Sequence, residues 1–148
     1  MEVTGQAATA DMDHGIPRPV PLGYVLALRV VSALVALLVL VQPVTAGLFV
    51  TGRVSYLTGH AAVGGILFML LPLQFVAAVL LWRPGRGSWW PMLFTAVELV
   101  LVVAQLATGG TRALAVHIPL GTALFGVALL FAWWACLGRG ARLRRGAR

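Results

Sequence analysis

Two histidines lie within long apolar stretches of this chain, and each is followed by the same two residue types at the same spacing. The two sets are His60, Gly64 and Phe68 in the first half, and His117, Gly121 and Phe125 in the second. Positions i, i+4 and i+8 lie along one stripe of an α-helix. A histidine in hydrocarbon is costly without a partner, so both imidazoles are expected to face the interior of a helix bundle.

This pattern suits the binding of a haem. Neutral imidazole is a common metal ligand, and histidine is a frequent axial ligand of haem iron. Two axial histidines complete the coordination of a haem iron, whereas a zinc site needs four ligands and often includes thiolate or carboxylate. The glycine of each set would let a flat macrocycle approach the backbone, and the phenylalanine would pack against it. The pattern therefore predicts haem b bound by His60 and His117. Close helix packing is an alternative explanation of the glycines, though not of the histidines.

Arg53 and Arg112 precede the two histidines by seven and five residues. Arginine pairs well with carboxylates, so these two side chains are candidates to bind the haem propionates. The alternative is that both are ordinary solvated residues of connecting segments, because single surface charges contribute little.

Three more polar residues fall within apolar runs: Gln42, Glu98 and Gln105. An intramembrane carboxyl is a candidate proton relay or cation partner, and Gln105 follows Glu98 by seven residues on roughly the same helix face. The alternative for Glu98 is a protonated carboxyl that donates one interhelical hydrogen bond, and the two glutamines are expected to make interhelical hydrogen bonds too.

The composition indicates the elements that must position these residues. Of 148 residues, 60% are hydrophobic and only 10% are charged, whereas a soluble domain carries about a quarter charged residues. Lipid must therefore be the solvent, and only helices of this length satisfy their own backbone there. Four apolar runs approach or exceed the roughly 20 residues that cross a bilayer, at about 24–49, 57–82, 89–108 and 114–137. With short links, they predict an all-α, integral membrane, up-down-up-down four-helix bundle.

The arginines predict the orientation of this bundle. Five of the eleven lie in a basic tail at 139–148, and Arg83 and Arg86 lie in the second link. By the positive-inside rule the domain at 23–138 has both termini in the cytoplasm, with 1–22 as a flexible cytoplasmic leader. The expected partner of the tail is anionic lipid rather than nucleic acid, because nothing suggests a fold that presents the charge to nucleic acid.

The two halves also share a glutamine and a glycine, which suggests an internal repeat of a two-helix unit. The pairs are Gln42 with Gly47 and Gln105 with Gly110. Two segments, about 42–68 and less fully 105–125, resemble a half-repeat of the haem A synthase type. The residues that carry this resemblance are Gln42, Gly47, Val50, Thr51 and Gly52, followed by His60 in the next helix.

That resemblance implies a bundle in which paired histidines bracket a haem, with His60 and His117 as one such pair. The chain departs from the family in having one four-helix unit, so a second haem or substrate site is missing and haem A synthesis is not expected. The whole chain also resembles small bacterial four-helix membrane proteins with one histidine in the second helix and one in the fourth. A bacterial plasma membrane is the location that this implies.

No catalytic signature, such as a nucleophile with its base or a phosphate-binding glycine loop, is found. The leading hypothesis is a bis-histidine b-type haem protein for electron transfer. One alternative is a non-catalytic accessory or assembly subunit, which would bind a larger membrane protein or a second copy of itself. Another is a small transporter whose polar path includes Glu98 and Gln105.

Overall fold

The computed structural model describes residues 20–137 and contains four helices. They are α1 (Leu22–Val50), α2 (Tyr56–Trp82), α3 (Trp90–Gly110) and α4 (Leu114–Leu137). The described residues form no strand, and each helix is long and apolar enough to cross a membrane. The predicted all-α class with four spanning helices is confirmed, with helix ends within two residues of those predicted. Most of the predicted leader, residues 1–19, and the whole predicted tail, 139–148, lie outside the described residues.

The prolines and the residues with positive φ lie where the helices and the links can accommodate them. Pro43, Pro72 and Pro119 lie inside helices, which is tolerated in membrane helices because neighbouring groups can satisfy the freed carbonyls. The chain turns through positive φ at Gly52 after α1 and at Arg112 after α3. These turns make the links 51–55 and 111–113 short, and so α2 and α4 return antiparallel to α1 and α3.

The helices pack as a square. Helix α1 packs on α2 and α4, and α3 packs on the same two helices, so α2 and α4 lie diagonally opposite. The end of the bundle that carries links 51–55 and 111–113 is called the link end below, and the opposite end is called the terminal end. A residue near the start of α2 and one near the start of α4 therefore share the link end and approach each other across the bundle.

Two apolar clusters fill the interior, with a layer of polar residues between them. The middle cluster contains Val35, Val39, Leu67, Leu71, Val102, Leu124 and Ala128. The terminal-end cluster contains Val25, Leu28, Ala77, Ala78, Leu81 and Phe131. Four buried polar residues fall, along the chain, between members or packing neighbours of these two clusters. They are called the polar layer below: Ser32, Gln74, Thr95 and Glu98. The histidines lie on the other side of the middle cluster, at the link end.

Candidate functional site

His60 is held by the last turns of α1. Its Nδ1 lies 3.2 Å from the carbonyl oxygen of Gln42 and 3.2 Å from Oγ1 of Thr45. The Thr45 hydroxyl lies 3.1 Å from the carbonyl oxygen of Val41 and 2.9 Å from that of Gln42, so it donates to the backbone of its own helix. Its oxygen is then left to accept from the imidazole. His60 thus has its Nδ1 proton directed at two acceptors on α1.

His117 is held by α3 in the same way. Its Nδ1 lies 3.0 Å from the carbonyl oxygen of Gln105 and 3.4 Å from Oγ1 of Thr108. The Thr108 hydroxyl in turn donates to the carbonyl oxygens of Ala104, at 2.8 Å, and Gln105, at 3.1 Å. The glutamine, the threonine three residues later and the histidine of the next helix therefore make the same contacts in both halves.

These contacts define the tautomer of both rings. A carbonyl oxygen can only accept, so Nδ1 must carry the ring proton and Nε2 keeps its lone pair. The Nε2 atom of Gln105, an amide donor, lies 3.4 Å from Nε2 of His117, which agrees with an accepting ring nitrogen there. Histidines that ligate metals usually donate the other ring N–H to a backbone carbonyl or carboxylate, which sets the tautomer and the ring orientation. Both imidazoles are thus prepared to ligate through Nε2.

The two rings meet across the diagonal of the bundle, as predicted. Their centroids are 6.1 Å apart and their planes are inclined at 66°. With a metal–nitrogen bond of about 2.0 Å and about 1.1 Å from ring centre to nitrogen, two imidazoles on opposite sides of one metal have centroids about 6.2 Å apart. The separation of His60 and His117 therefore matches ligation of a single metal ion between them.

Gly121 makes room for Gln105, and the approach of a macrocycle to Gly64 and Gly121 stays a prediction. A Cβ atom on Gly121 would lie 2.7 Å from Nε2 of Gln105. At this glycine, Gln105 donates from Nε2 to the carbonyl oxygen of His117 at 2.9 Å. A Cβ atom on Gly64 would lie 3.3 Å from Cδ2 of Leu106 and 3.5 Å from Nε2 of Gln42, so the corresponding contact in the first half is looser.

Gly109 plays a separate part that the sequence interpretation missed. A Cβ atom there would lie 2.9 Å from Cε1 and 3.2 Å from Nδ1 of His117. Its neighbour Gly110, which the sequence pattern singled out, would meet nothing within 4 Å, and the same is true of Gly47. The glycine that the imidazole of His117 needs is therefore Gly109.

The remaining predicted site residues lie beside the middle cluster or in the links of the link end. Phe68 and Phe125 are partly buried and pack on the middle cluster. Arg53 and Arg112 are exposed in links 51–55 and 111–113, at the link end near the histidines. Both arginines thus share one end of the bundle with the histidines, and their pairing with haem propionates stays a prediction.

Glu98 and Gln105, expected to line one polar seam, belong to different groups. Oε2 of Glu98 accepts from Nε2 of Gln74 at 2.7 Å, in the polar layer, whereas Gln105 contacts His117. The buried Val102 of the middle cluster lies between them on α3. Glu98 does make an interhelical hydrogen bond, but its Oε2 accepts from Gln74, whereas the carboxyl was expected to donate. The sequence interpretation did not single out Gln74.

Thr45, Thr108 and Gln74 are the main residues that the sequence interpretation missed. Each threonine follows a predicted glutamine by three residues, so the repeated Gln-x-x-Thr spacing was a usable signal. Gln74 was detectable only as a polar residue within an apolar run.

Comparison of the chain with family models, with curated proteins and with solved structures gives no match. Whether His60 and His117 suit a metal ion or a haem must therefore be judged from the chemistry of their imidazoles. Among the described residues no group of three or more His, Cys, Asp and Glu side chains could hold a metal ion. Two imidazoles leave most positions of a metal ion unfilled, and a porphyrin supplies four more nitrogens. His60 and His117 fit a haem better than a bare metal ion.

Proposed function

We propose that this protein is a b-type haem protein of the bacterial plasma membrane, with His60 and His117 as axial ligands, and that it transfers electrons. One observation carries the proposal. The Nδ1 atoms lie 3.2 and 3.0 Å from backbone carbonyl oxygens, and the ring centroids are 6.1 Å apart. Neither Nε2 atom carries the ring proton, so both could bind one iron once the Gln105 amide, 3.4 Å from Nε2 of His117, moves aside.

Different residues of the chain would ligate the haem, orient its ligands and exclude water. His60 and His117 ligate through Nε2, and the carbonyl oxygens of Gln42 and Gln105 orient the rings. The middle cluster excludes water from one side of the site. A bound haem supplies reversible one-electron transfer, and full axial ligation leaves no iron position open for oxygen chemistry.

The propionates would lie toward the link end, where Arg53 and Arg112 are exposed. Arginine can pair with a carboxylate through two parallel hydrogen bonds, which supports this direction. We further propose that both termini face the cytoplasm, on the basis of the arginine distribution. The matching contacts of Gln42 with His60 and of Gln105 with His117 support an internal two-helix repeat.

The absorption spectrum of the purified protein tests this function. Protein made with adequate haem supply should show a Soret band and sharp α and β bands on reduction, as low-spin haem does. A colourless protein that co-purifies with a larger membrane protein would instead support an accessory subunit. Ion flux into liposomes by colourless protein would support a transporter.

A further inference from the structure

The polar layer contains three buried oxygen atoms that lack a hydrogen-bond partner. They are Oγ of Ser32, Oε1 of Gln74 and Oε1 of Glu98. The three side chains are 1%, 0% and 1% exposed. A buried polar group without a partner costs about 1–3 kcal/mol. Three on neighbouring helices, between the same two apolar clusters, indicate a site for a small polar ligand.

The chemistry of these atoms limits what the ligand can be. Hard metal cations such as Ca²⁺ and Mg²⁺ take about six or more oxygen ligands, and the three side chains offer half that number. One carboxyl group, by contrast, is enough to bind a proton. A water molecule typically makes about three hydrogen bonds to such buried groups, and it would carry the proton to and from the carboxyl.

We propose that Glu98 is a proton-binding site whose occupancy is linked to the redox state of the iron; the linkage rests on the haem function proposed above. Glu98 lies seven residues before Gln105, about 10 Å along α3 from the level of the histidines. If a haem is bound, its reduction would remove one positive charge from the site. The carboxylate of Glu98, held in hydrocarbon, would then lose part of its electrostatic compensation and would take up a proton from water.

Among residues 20–137, no other charged side chain belongs to the polar layer. Helix α3 packs on α2, which contributes Gln74, and on α4, which contributes Ala128 and Phe131, whereas Ser32 lies at this level on α1, diagonally opposite α3. The nearest titratable or charged groups on α1 and α4 are Arg29 and Cys136, toward the terminal end. Nε of Arg29 donates to the carbonyl oxygen of Ala135 at 3.0 Å, and Sγ of Cys136 lies 3.8 Å from the carbonyl oxygen of Arg29.

The apolar terminal-end cluster closes the polar layer off toward the terminal end, and a cleft of about 160 Å³ lies beside it, lined by apolar side chains and by Arg29, Ser88, Trp90 and Trp134. Leu28 belongs both to this cluster and to the lining of the cleft, and it precedes Ser32 by one helical turn. A proton that reaches Glu98 from this side would have to pass this one apolar layer.

A redox titration of the haem-loaded protein at several pH values tests the proposal. The midpoint potential should fall as pH rises, because reduction takes up a proton. The limiting slope is about 59 mV for each tenfold change in proton concentration in a one-electron couple. Glu98→Gln should flatten this slope. The matched control is Thr95→Val, since that hydroxyl already donates to the carbonyl oxygen of Met92 at 3.0 Å, and it should keep the slope.

If the Glu98→Gln variant does not fold, a second measurement on the wild type tests the proposal instead. The infrared difference spectrum of the wild type between oxidised and reduced states should contain a carboxylic acid C=O band. Equal slopes in the wild type and Glu98→Gln, or a potential that depends on Na⁺ at fixed pH, would overturn the proton site while leaving the haem function intact. A protein without a haem spectrum would overturn the haem function first.

Discussion

The carbonyl oxygen of Gln42 lies 3.2 Å from Nδ1 of His60, eighteen residues further along the chain. This contact joins α1 to α2 and leaves Nε2 of the imidazole for another partner. Gln105 and His117 repeat the relationship between α3 and α4 at 3.0 Å. The geometry is specific enough to predict how individual substitutions affect haem binding.

Substitution of either histidine should have the same effect. Because both would bind the same iron, His60→Ala and His117→Ala should each abolish the low-spin spectrum, and the double variant should bind no haem. His60→Met should be milder, since thioether is also an axial ligand. His14→Ala provides the control and should leave the visible spectrum unchanged. A normal low-spin spectrum in either single variant would rule out the shared iron.

Two adjacent glycines offer a matched test of ring placement. Gly109→Ala puts a Cβ atom 2.9 Å from Cε1 of His117 and should displace the ring, whereas Gly110→Ala meets nothing within 4 Å. Haem affinity, measured by spectroscopic titration, should fall about ten- to hundredfold in the first variant, as when a partner of a metal ligand is lost. Gly110→Ala should bind haem as the wild type does. Equal affinity in both variants would contradict the placement of the imidazole.

The seat of Gln105 can be tested through stability. Gly121→Ala puts a Cβ atom 2.7 Å from Nε2 of Gln105, so the amide must leave the carbonyl oxygen of His117. The free energy of unfolding should fall by about 1–3 kcal/mol, as in other overpacked interiors. Gly126→Ala has open space and should be neutral or more stable by up to about 1 kcal/mol, because alanine favours helix. Thermal unfolding of both variants in detergent measures this, and a Gly121→Ala variant as stable as Gly126→Ala would argue against the contact.

Cysteine labelling tests the topology. In a Cys136→Ala background, thiols introduced at Ser55 and Thr111 lie in or beside the links of the link end, and one at Ser88 lies in the link of the terminal end. A membrane-impermeant reagent added to intact cells should label the first two and leave Ser88 unlabelled. Lysed cells serve as the control, in which all three should react. Labelling of Ser88 in intact cells would reverse the proposed orientation.

The sequence was sufficient for the four helices and for the meeting of the histidines. Apolar runs of spanning length define the helices, and the position of His60 and His117 near the start of the second and fourth runs places both at one end. The sequence did not predict which residues contact Glu98 and the glycines. These helices are apolar nearly all round, so periodicity does not show which face turns inward. The pairing of Gln74 with Glu98 depends on the relative rotation and axial shift of α2 and α3, which no local pattern determines.

The seating of Gln105 against a glycine on the next helix constrains how such a chain can evolve. A side chain larger than hydrogen at position 121 conflicts with the amide of Gln105, whereas at position 64 a Cβ atom would lie 3.5 Å from the amide of Gln42, which is an ordinary contact. Residue 121 cannot become larger without displacing the amide that hydrogen-bonds to the backbone of His117. In divergent descendants of this chain, residues 105 and 121 should therefore covary more strongly than 42 and 64, with Gly121 replaced only where Gln105 has become shorter.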